Sequence, residues 1–387
     1  MRKILIVSSK NLSSRPLEGA QKRILDIAKF LSKKNKVDIA FIGEDSTTKK
    51  NHLNFFNQII VFNINFLSRI INTFFSALKL KPFQNGYFFS KKMSIFVSKN
   101  QEKYDVIIFH LLRSAQYLPN DFHGIKILEM TDLGSANYEQ IIKEISILNP
   151  FKYLYIMEKI LLRLYEKKIS NLFDKVVFIS DKEIHVAKQI IENEKIFTIT
   201  SAFKTEKKIF KHKKNNYKIL FVGNINYFPN KLACYNFART IMPILKENYP
   251  SIEFNIVGKI NFLDKFFLSR FQSVKVHGPL NNIEKIIKNS ICGICNLKVA
   301  TGLQMKIFTY LSYGLPVIAS QKSFPKNILI KNKQIIVYKD SKDLVSLINK
   351  LIKNKKIANK ISNNGFRLLK IKFNSSKVYG NYLKIPR

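Results

Sequence analysis

Acidic residues are what this chain lacks most. Its 387 residues carry 26 Asp and Glu against 66 Lys and Arg, a formal net charge of +40. A field that positive attracts polyanions, whether nucleic acid, anionic lipid headgroups or phosphorylated substrates. The competing reading is a lysine-coated surface with no specific partner, because net charge speaks to association and not to fold. The lysines are spread along the whole chain, without an RNP-like motif, zinc-finger spacing or basic tail, so no nucleic-acid partner is expected. Tryptophan is absent, and 32 Phe and 16 Tyr supply the aromatic packing. Three cysteines exclude a disulfide framework and suit a reducing cytoplasm.

Metal ligation has little to draw on. Cys292 and Cys295 make a CxxC, but it lies in ICGICNLKV, an apolar run that reads as a buried strand. Residues three apart on a strand point to opposite faces, so the pair cannot share one metal. No DxD occurs and the histidines are scattered. Long apolar runs are missing too. Nothing approaches the roughly 20 apolar residues of a transmembrane helix, and MRKILIVSS turns polar too early for a secretory signal. A cytoplasmic protein is expected, whose only membrane contact would be peripheral, on the inner face of the plasma membrane and with anionic lipid.

What the chain does have is alternation. The length suits two α/β domains, and a hydrophobic content of 46% is ample for buried sheets. KILIVSS, KVDIAFIG, QIIVFNI, DVIIFH, GIKILEMTD and DKVVFIS are continuous apolar runs separated by helical spacing. A basic, weakly hydrophobic stretch, KTEKKIFKHKKNNYK, interrupts them at 204–218. The alternation then restarts with KILFVGN, EFNIVGK, VKVHGPL, ICGICNL, GLPVIAS and IIVYK. The pattern predicts an α/β fold of two Rossmann-like domains, each a mainly parallel sheet with helices on both faces, facing across a cleft. The expected boundaries are 1–203, a linker at 204–217, a second domain at 218–370, and a C-terminal segment at 371–387 that returns to the first domain. Ligands in such sheets sit beyond the carboxyl ends of the strands.

Within the first half, residues 66–80 carry Phe66/Leu67, Ile70/Ile71, Phe74/Phe75 and Leu78 at helical spacing, flanked by Arg69, Lys79 and Lys81. Two readings stay open: a helix packed on the sheet, or an amphipathic, basic element resting on a membrane.

Several segments together resemble the retaining GT-B glycosyltransferases of the large GT4 family (glycosyl transferases group 1). They are FVGNINYFPNKLA at 221–233, FNIVGK at 254–259, VKVHGPLNNI at 274–283 and ATGLQMKIFTYLSYGLPVIAS at 300–320. The subgroup resembled has a strand, a Gly and a later Pro-Asn, here Gly223, Pro229 and Asn230, followed by Gly-x-x-x-Lys, here Gly302 to Lys306. Gly19 and Arg23, RSAQY at 113–117 and LYEKKISNLFDKVVFIS at 164–180 extend the resemblance over nearly the whole chain, with the C-terminal cluster the more specific part.

The resemblance implies a nucleotide-sugar donor, a glycan or lipid-linked acceptor, no cofactor and no metal. It also implies same-face transfer in which the leaving diphosphate helps to take the acceptor proton. A diphosphate gains charge as the glycosidic bond breaks, and amides at a helix N-terminus stabilise such charge. Gly302, Leu303 and Gln304 are placed to form that turn, Lys306 to add a point charge, and Gly223 with Asn224 to let backbone approach the phosphate. For Lys306 the bland alternative is one more solvated lysine, and for Gly223 an ordinary tight turn. On the acceptor side, Asp132 ends ILEMTD, His110 ends DVIIFH, Arg113 follows closely, and Gly19 lies after the first strand. Asp132 and His110 are the catalytic candidates and Arg113 a contact for an acceptor phosphate. A turn or N-cap aspartate, a structural histidine, a solvated arginine and a loop glycine are the alternatives. Glu166, in a YEKK run, reads as a surface salt-bridge former.

One departure matters. The family's two glutamates, eight residues apart, align with Thr301 and Thr309. The second acid holds the donor ribose in the family, and a threonine hydroxyl cannot bind it bidentately. A catalytically degenerate scaffold that binds glycan or a partner is therefore the competing function.

Overall fold

The strands form where continuous Ile/Val/Leu/Phe runs can be covered on both sides. In β1 (Lys3–Ser8), residues Ile4 to Val7 are wholly buried. A computed structural model of the chain describes residues 1–13, 17–44, 51–181, 184–205, 207–213, 215, 217–300 and 303–384. The chain divides into two compact units, Met1–Ser201 with Val378–Arg387, and Ala202–Lys377. The return of the C-terminal segment to the first unit thus begins at Val378, and the basic stretch at 204–217 belongs to the second.

The first unit holds β1, β2 (Lys36–Ile42), β3 (Ile59–Phe62), β4 (Val106–His110), β5 (Ile125–Thr131), β6 (Lys175–Phe178) and β7 (Ile196–Thr198) in one sheet, all pairings parallel. Its order is β3-β2-β1-β4-β5-β6-β7, so the strand order reverses between β1 and β4. β7 is not legible in the sequence, being three half-buried residues at a sheet edge. The helices used below are α1 (Gly19–Leu31), α2 (Phe66–Leu78), α3 (Phe83–Tyr87), α4 (Lys91–Asn100), α5 (Gly134–Glu144) and α6 (Phe151–Ser170).

The second unit holds β8 (Lys218–Val222), β9 (Glu253–Val257), β10 (Val274–Gly278), β11 (Cys292–Cys295), β12 (Val317–Ser320) and β13 (Ile336–Tyr338), again all parallel. The order β10-β9-β8-β11-β12-β13 reverses between β8 and β11. Its helices that matter for the site are α7 (Phe228–Asn236) and α8 (Met305–Ser312). The CxxC is strand β11, and both cysteines are buried and outside any disulfide among the described residues, as the apolar run predicts.

A buried polar cluster ties the first unit together. Arg23 of α1 donates from Nε to Glu129 Oε1 on β5 at 2.7 Å, and both side chains are fully buried. The same guanidinium reaches Ser201 Oγ (3.2 Å) and the Ile199 carbonyl (2.7 Å). Tyr382, in the returning C-terminal segment, donates its hydroxyl to Glu129 Oε2 at 2.7 Å. Lys175 of β6 donates to the Tyr382 and Lys384 carbonyls at 2.9 and 3.0 Å. Charges taken out of water hold only when every lone pair and proton is answered, so this cluster fixes where the tail lies.

Replacing Arg23 with Met leaves Glu129 buried without its cation. The first unit should then lose about 3 kcal/mol or more, by urea unfolding followed separately for each unit. Tyr382→Phe, which removes one bond to a charged acceptor, should cost about 1–3 kcal/mol.

Candidate functional site

In parallel sheets the crevice where the strand order reverses is the natural ligand position. In the second unit that crevice is bounded by the loops after β8 and β11, and the residues singled out in the sequence gather there. Val222 ends β8, then come Gly223, Asn224 and, opening α7, Pro229 and Asn230. Asn230 donates from Nδ2 to the Asn224 carbonyl at 2.8 Å, and its Oδ1 accepts from Lys306 Nζ at 2.6 Å. Gly223 makes room for this bridge, since a Cβ there would stand 3.1 Å from Asn230 Nδ2. The Pro-Asn and Gly-x-x-x-Lys segments, about 70 residues apart, are thus one hydrogen-bonded unit.

Lys306, in the first turn of α8, is 9% exposed. Its ammonium lies over the Phe221 ring at 4.5 Å. Burial holds its pKa below the ordinary lysine range, with only the distant pull of the Cys295 and Cys234 sulfurs against it. Among the described residues no carboxylate lies within ion-pairing distance of it. A buried cation answered by one neutral amide and a ring is short of negative charge.

The rest of α8 is held by Tyr310. Its hydroxyl accepts from the Val222 amide at 2.7 Å, and its ring packs on Gly293 of β11, where a Cβ would stand 2.5 Å from the ring carbons. The glycine of CGIC marks a close approach of helix and strand, a signal the sequence reading left unused. Leu303 is buried and Gln304 is the N-cap residue of α8. Gly302 and Thr301 lie outside the described residues. Thr309 turns its hydroxyl back to the Met305 carbonyl, 3.0 Å away on its own helix. The strand-end loops are drawn tight at Gly258, whose φ of +143° and whose Cα facing the Gly223 carbonyl admit no side chain.

In the first unit the reversal lies between β1 and β4. Ser8 Oγ and His110 Nδ1, at the ends of those strands, are 2.9 Å apart. His110 is fully buried, and burial, then the Arg113, Lys10 and Arg23 charges, push its pKa far below the usual range. It is a neutral imidazole that shares its Nδ1 with the Ser8 hydroxyl, beneath the site surface. Arg113 stands nearer the surface. Its Nε donates to Ser9 Oγ at 2.7 Å, its guanidinium stacks 3.9 Å from the Phe88 ring centre, and no carboxylate pairs with it among the described residues. Gly19 is exposed and opens α1 rather than lying in a loop. A cavity of about 410 Å³ beside these residues is lined by Ser9, Asn11, Gly43, Asn63, Arg69 and Phe88, among others.

Asp132 follows β5 directly. The N-cap of α5 is Leu133, so Asp132 is not the helix cap. Desolvation raises its pKa to about 6, against the pull of its own backbone amide. The capping work belongs to Glu166. Fully buried rather than forming surface ion pairs, it accepts from the Ser135 amide at 3.0 Å and from the Ser135 hydroxyl. Desolvation raises its pKa to about 7, with the Ser135 bonds opposing. That corrects the expectation from its YEKK surroundings. Sequence reasoning also missed two strained residues. Leu111 (φ +71°) follows His110, and Thr131 (φ +71°) precedes Asp132. Non-glycine residues held in the left-handed region cluster at functional sites, and the chain tolerates two at neighbouring strand ends.

Against these observations stand the comparisons. Residues 216–354 match the family model of glycosyl transferases group 1. Among curated proteins, none matches the chain significantly. In structure the chain is similar to Anabaena HepE in complex with UDP and glucose, at a TM-score of 0.71 and 13% identity, covering 99% of this chain and 98% of that one. It is similar to sucrose-phosphate synthase from Thermosynechococcus elongatus at a TM-score of 0.72 and 13% identity, covering 99% and 97%. It is also similar to the lipopolysaccharide outer core galactosyltransferase WaaB at a TM-score of 0.58 and 14% identity, covering 98% of both chains. The likeness shows the fold, two parallel-sheet α/β domains as in GT-B proteins.

Gly258→Ala puts a methyl group against the Gly223 carbonyl in a backbone conformation that L-residues avoid. The second unit should lose about 2 kcal/mol or more, read as a lowered unfolding midpoint for that unit with the first unit's unchanged.

Proposed function

We propose that this protein is a retaining, GT4-like glycosyltransferase that moves a sugar from a UDP-sugar to a glycan acceptor, lipid-linked, in bacterial cell-surface polysaccharide synthesis. The observation that carries the reading is Lys306, a buried cation with no counter-ion among the described residues, held by Asn230 where the strand order reverses. A donor diphosphate supplies the missing charge, and in a poorly solvated site that attraction is stronger than at the surface. The α8 N-terminus, from Leu303 and Gln304 onward, adds amides to the same phosphates. The UDP complex of HepE and the family match of the second unit support the donor class, and WaaB supports the acceptor class.

In the first unit, Asp132 is the residue that accepts a hydrogen bond from the acceptor hydroxyl and orients it, and Arg113 meets an anionic group of the acceptor. His110, inaccessible and neutral, acts from beneath by positioning Ser8 and the β1–β4 strand ends. The leaving diphosphate takes the acceptor proton on the face from which it departs, so no side-chain nucleophile and no metal are required. A second reading, a silent scaffold, is favoured by Thr309, whose hydroxyl is committed to its own helix.

Nucleotide sugars should raise the unfolding midpoint of the wild type, since ligand binding stabilises in proportion to affinity. Lys306→Ala should weaken UDP-sugar binding about tenfold or more, and EDTA should leave turnover unchanged. Unchanged binding in the variant sinks the phosphate role. A scaffold gives no turnover with any donor, and Thr309→Glu does not restore it.

The Asp132 carboxyl, raised to about 6, must be ionised to accept the hydrogen bond that orients the acceptor hydroxyl. Turnover should therefore fall as the pH drops through about 6, and Asp132→Asn should remove that acid limb along with most of the activity.

A further inference from the structure

Two helices turn an apolar stripe away from the body of their own unit. That of α2, marked in the sequence, is 45% or more exposed at every large apolar residue from Phe66 to Leu78, so it is not the core face of a helix packed on the sheet. The other stripe carries no signal singled out in the sequence. It lies on the helix Phe262–Ser269 of the second unit, where Phe262, Leu263, Phe266 and Phe267 are 80%, 64%, 45% and 50% exposed. Arg270 ends this helix on the same line as Phe262 and Phe266, its guanidinium 4.5 Å from the Phe266 ring centre.

Beside this stripe is a cavity of about 430 Å³, lined by Tyr235, Phe267, Arg270 and Phe271. The Tyr235 ring meets Phe271 edge-on at 6.2 Å, and its hydroxyl donates to Asp264 Oδ1 at 3.2 Å. Asp264 is the one acid of the helix, and Lys231 answers it at 2.7 Å. Arg270 has no carboxylate partner among the described residues. The helix starts just after β9 and runs back along the edge strand β10, which begins at Val274. Arg270 and Phe271 therefore stand toward the amino ends of the strands, away from the crevice that holds Lys306.

The order of rings and charge decides the occupant. Pyranose rings present apolar C–H faces that stack on aromatic side chains while their hydroxyls stay in water, and an arginine takes a carboxylate bidentately. From Phe262 through Phe266 to Arg270 the face runs about 12 Å along the helix, which suits a repeating ligand better than a single ring. An acyl boundary would have to take in Arg270, because the guanidinium lies in line with the rings rather than at their flank. A second copy of this chain would bring one +40 molecule against another, which like-charge repulsion opposes.

We propose that this face is a second glycan site, apart from the transfer crevice, that holds a polysaccharide bearing carboxylate groups. The sugar rings lie on Phe262, Phe266 and Phe267, and a carboxylate of the chain meets Arg270. A polymer held here stays with the protein between successive additions, because a second attachment keeps the local concentration of its growing end high. That the occupant is a glycan rests on the transferase reading, whereas the binding itself is measured without donor or turnover.

The test is titration calorimetry of the full-length chain with the hexamer of galacturonic acid, and with the neutral hexamer of glucose as its control. The wild type should bind the acidic hexamer and bind the neutral one more weakly. The pair Phe266→Ala/Phe267→Ala and the single change Arg270→Gln should each weaken binding of the acidic hexamer about tenfold, with unfolding midpoints little changed because these side chains stand in solvent. Lys306→Met should bind it as the wild type does. If that variant also keeps its UDP affinity, the donor reading fails while this site stands. Four results overturn the proposal. The wild type does not bind the acidic hexamer; the Phe pair and Arg270→Gln bind it as the wild type does, leaving only diffuse lysine attraction; Lys306→Met loses it, placing the glycan in the crevice; or ultracentrifugation shows a dimer that the Phe pair dissolves.

Discussion

A lysine buried with no acid beside it among the described residues is the constraint around which the second unit is arranged. Taking an ammonium out of water is costly, and a native structure keeps such a group only where something answers it. Here the answer is partial: one amide oxygen from Asn230 and the face of Phe221. Much of the nearby architecture holds that partial answer in place. Gly223 makes room for Asn230, Tyr310 pins α8 to the end of β8, and Gly293 admits the Tyr310 ring. The pre-organisation is of the kind that electrostatic catalysis needs, because the charge is already aimed and desolvated before the ligand arrives.

The first unit solves the opposite problem. Its most buried ion pair, Arg23 and Glu129, is fully satisfied, with Tyr382, Ser201 and the Ile199 carbonyl completing the network. That network is structural. Strain gathers at the strand ends above it, where the Asp132 carboxyl is raised to about 6 and Leu111 and Thr131 hold positive φ. Stability and strain are thus separated along β5 itself, Glu129 anchoring the core and Thr131 and Asp132 standing at the edge.

The sheets were legible because most parallel strands are apolar runs covered on both faces, and twelve of the thirteen strands among the described residues were marked in the sequence, β10 despite its exposed Lys275 and His277. β7 escaped because three half-buried residues carry no such pattern. The site was legible as spacing: Gly223, Asn230 and Lys306 could be named from the sequence. That Asn230 would hold Lys306 could not, since a contact across 76 positions leaves no local trace. Glu166 misled for a related reason. Its lysine neighbours suggest solvent, whereas helical geometry turns it inward to cap α5. The apolar stripe at 66–80 was visible at once, but its direction was not, because periodicity defines a face without saying which way it points.

The central claim is that Lys306 awaits a diphosphate, and proton uptake on UDP binding tests it most directly. Burial lowers the lysine's affinity for its proton, and a bound diphosphate restores it. Titration calorimetry through the alkaline range, in buffers of different ionisation enthalpy, should show proton uptake on UDP binding that grows with pH in the wild type and none in Lys306→Met, which should also bind more weakly. Equal UDP affinity in the two proteins, with no proton uptake in either, would contradict the account.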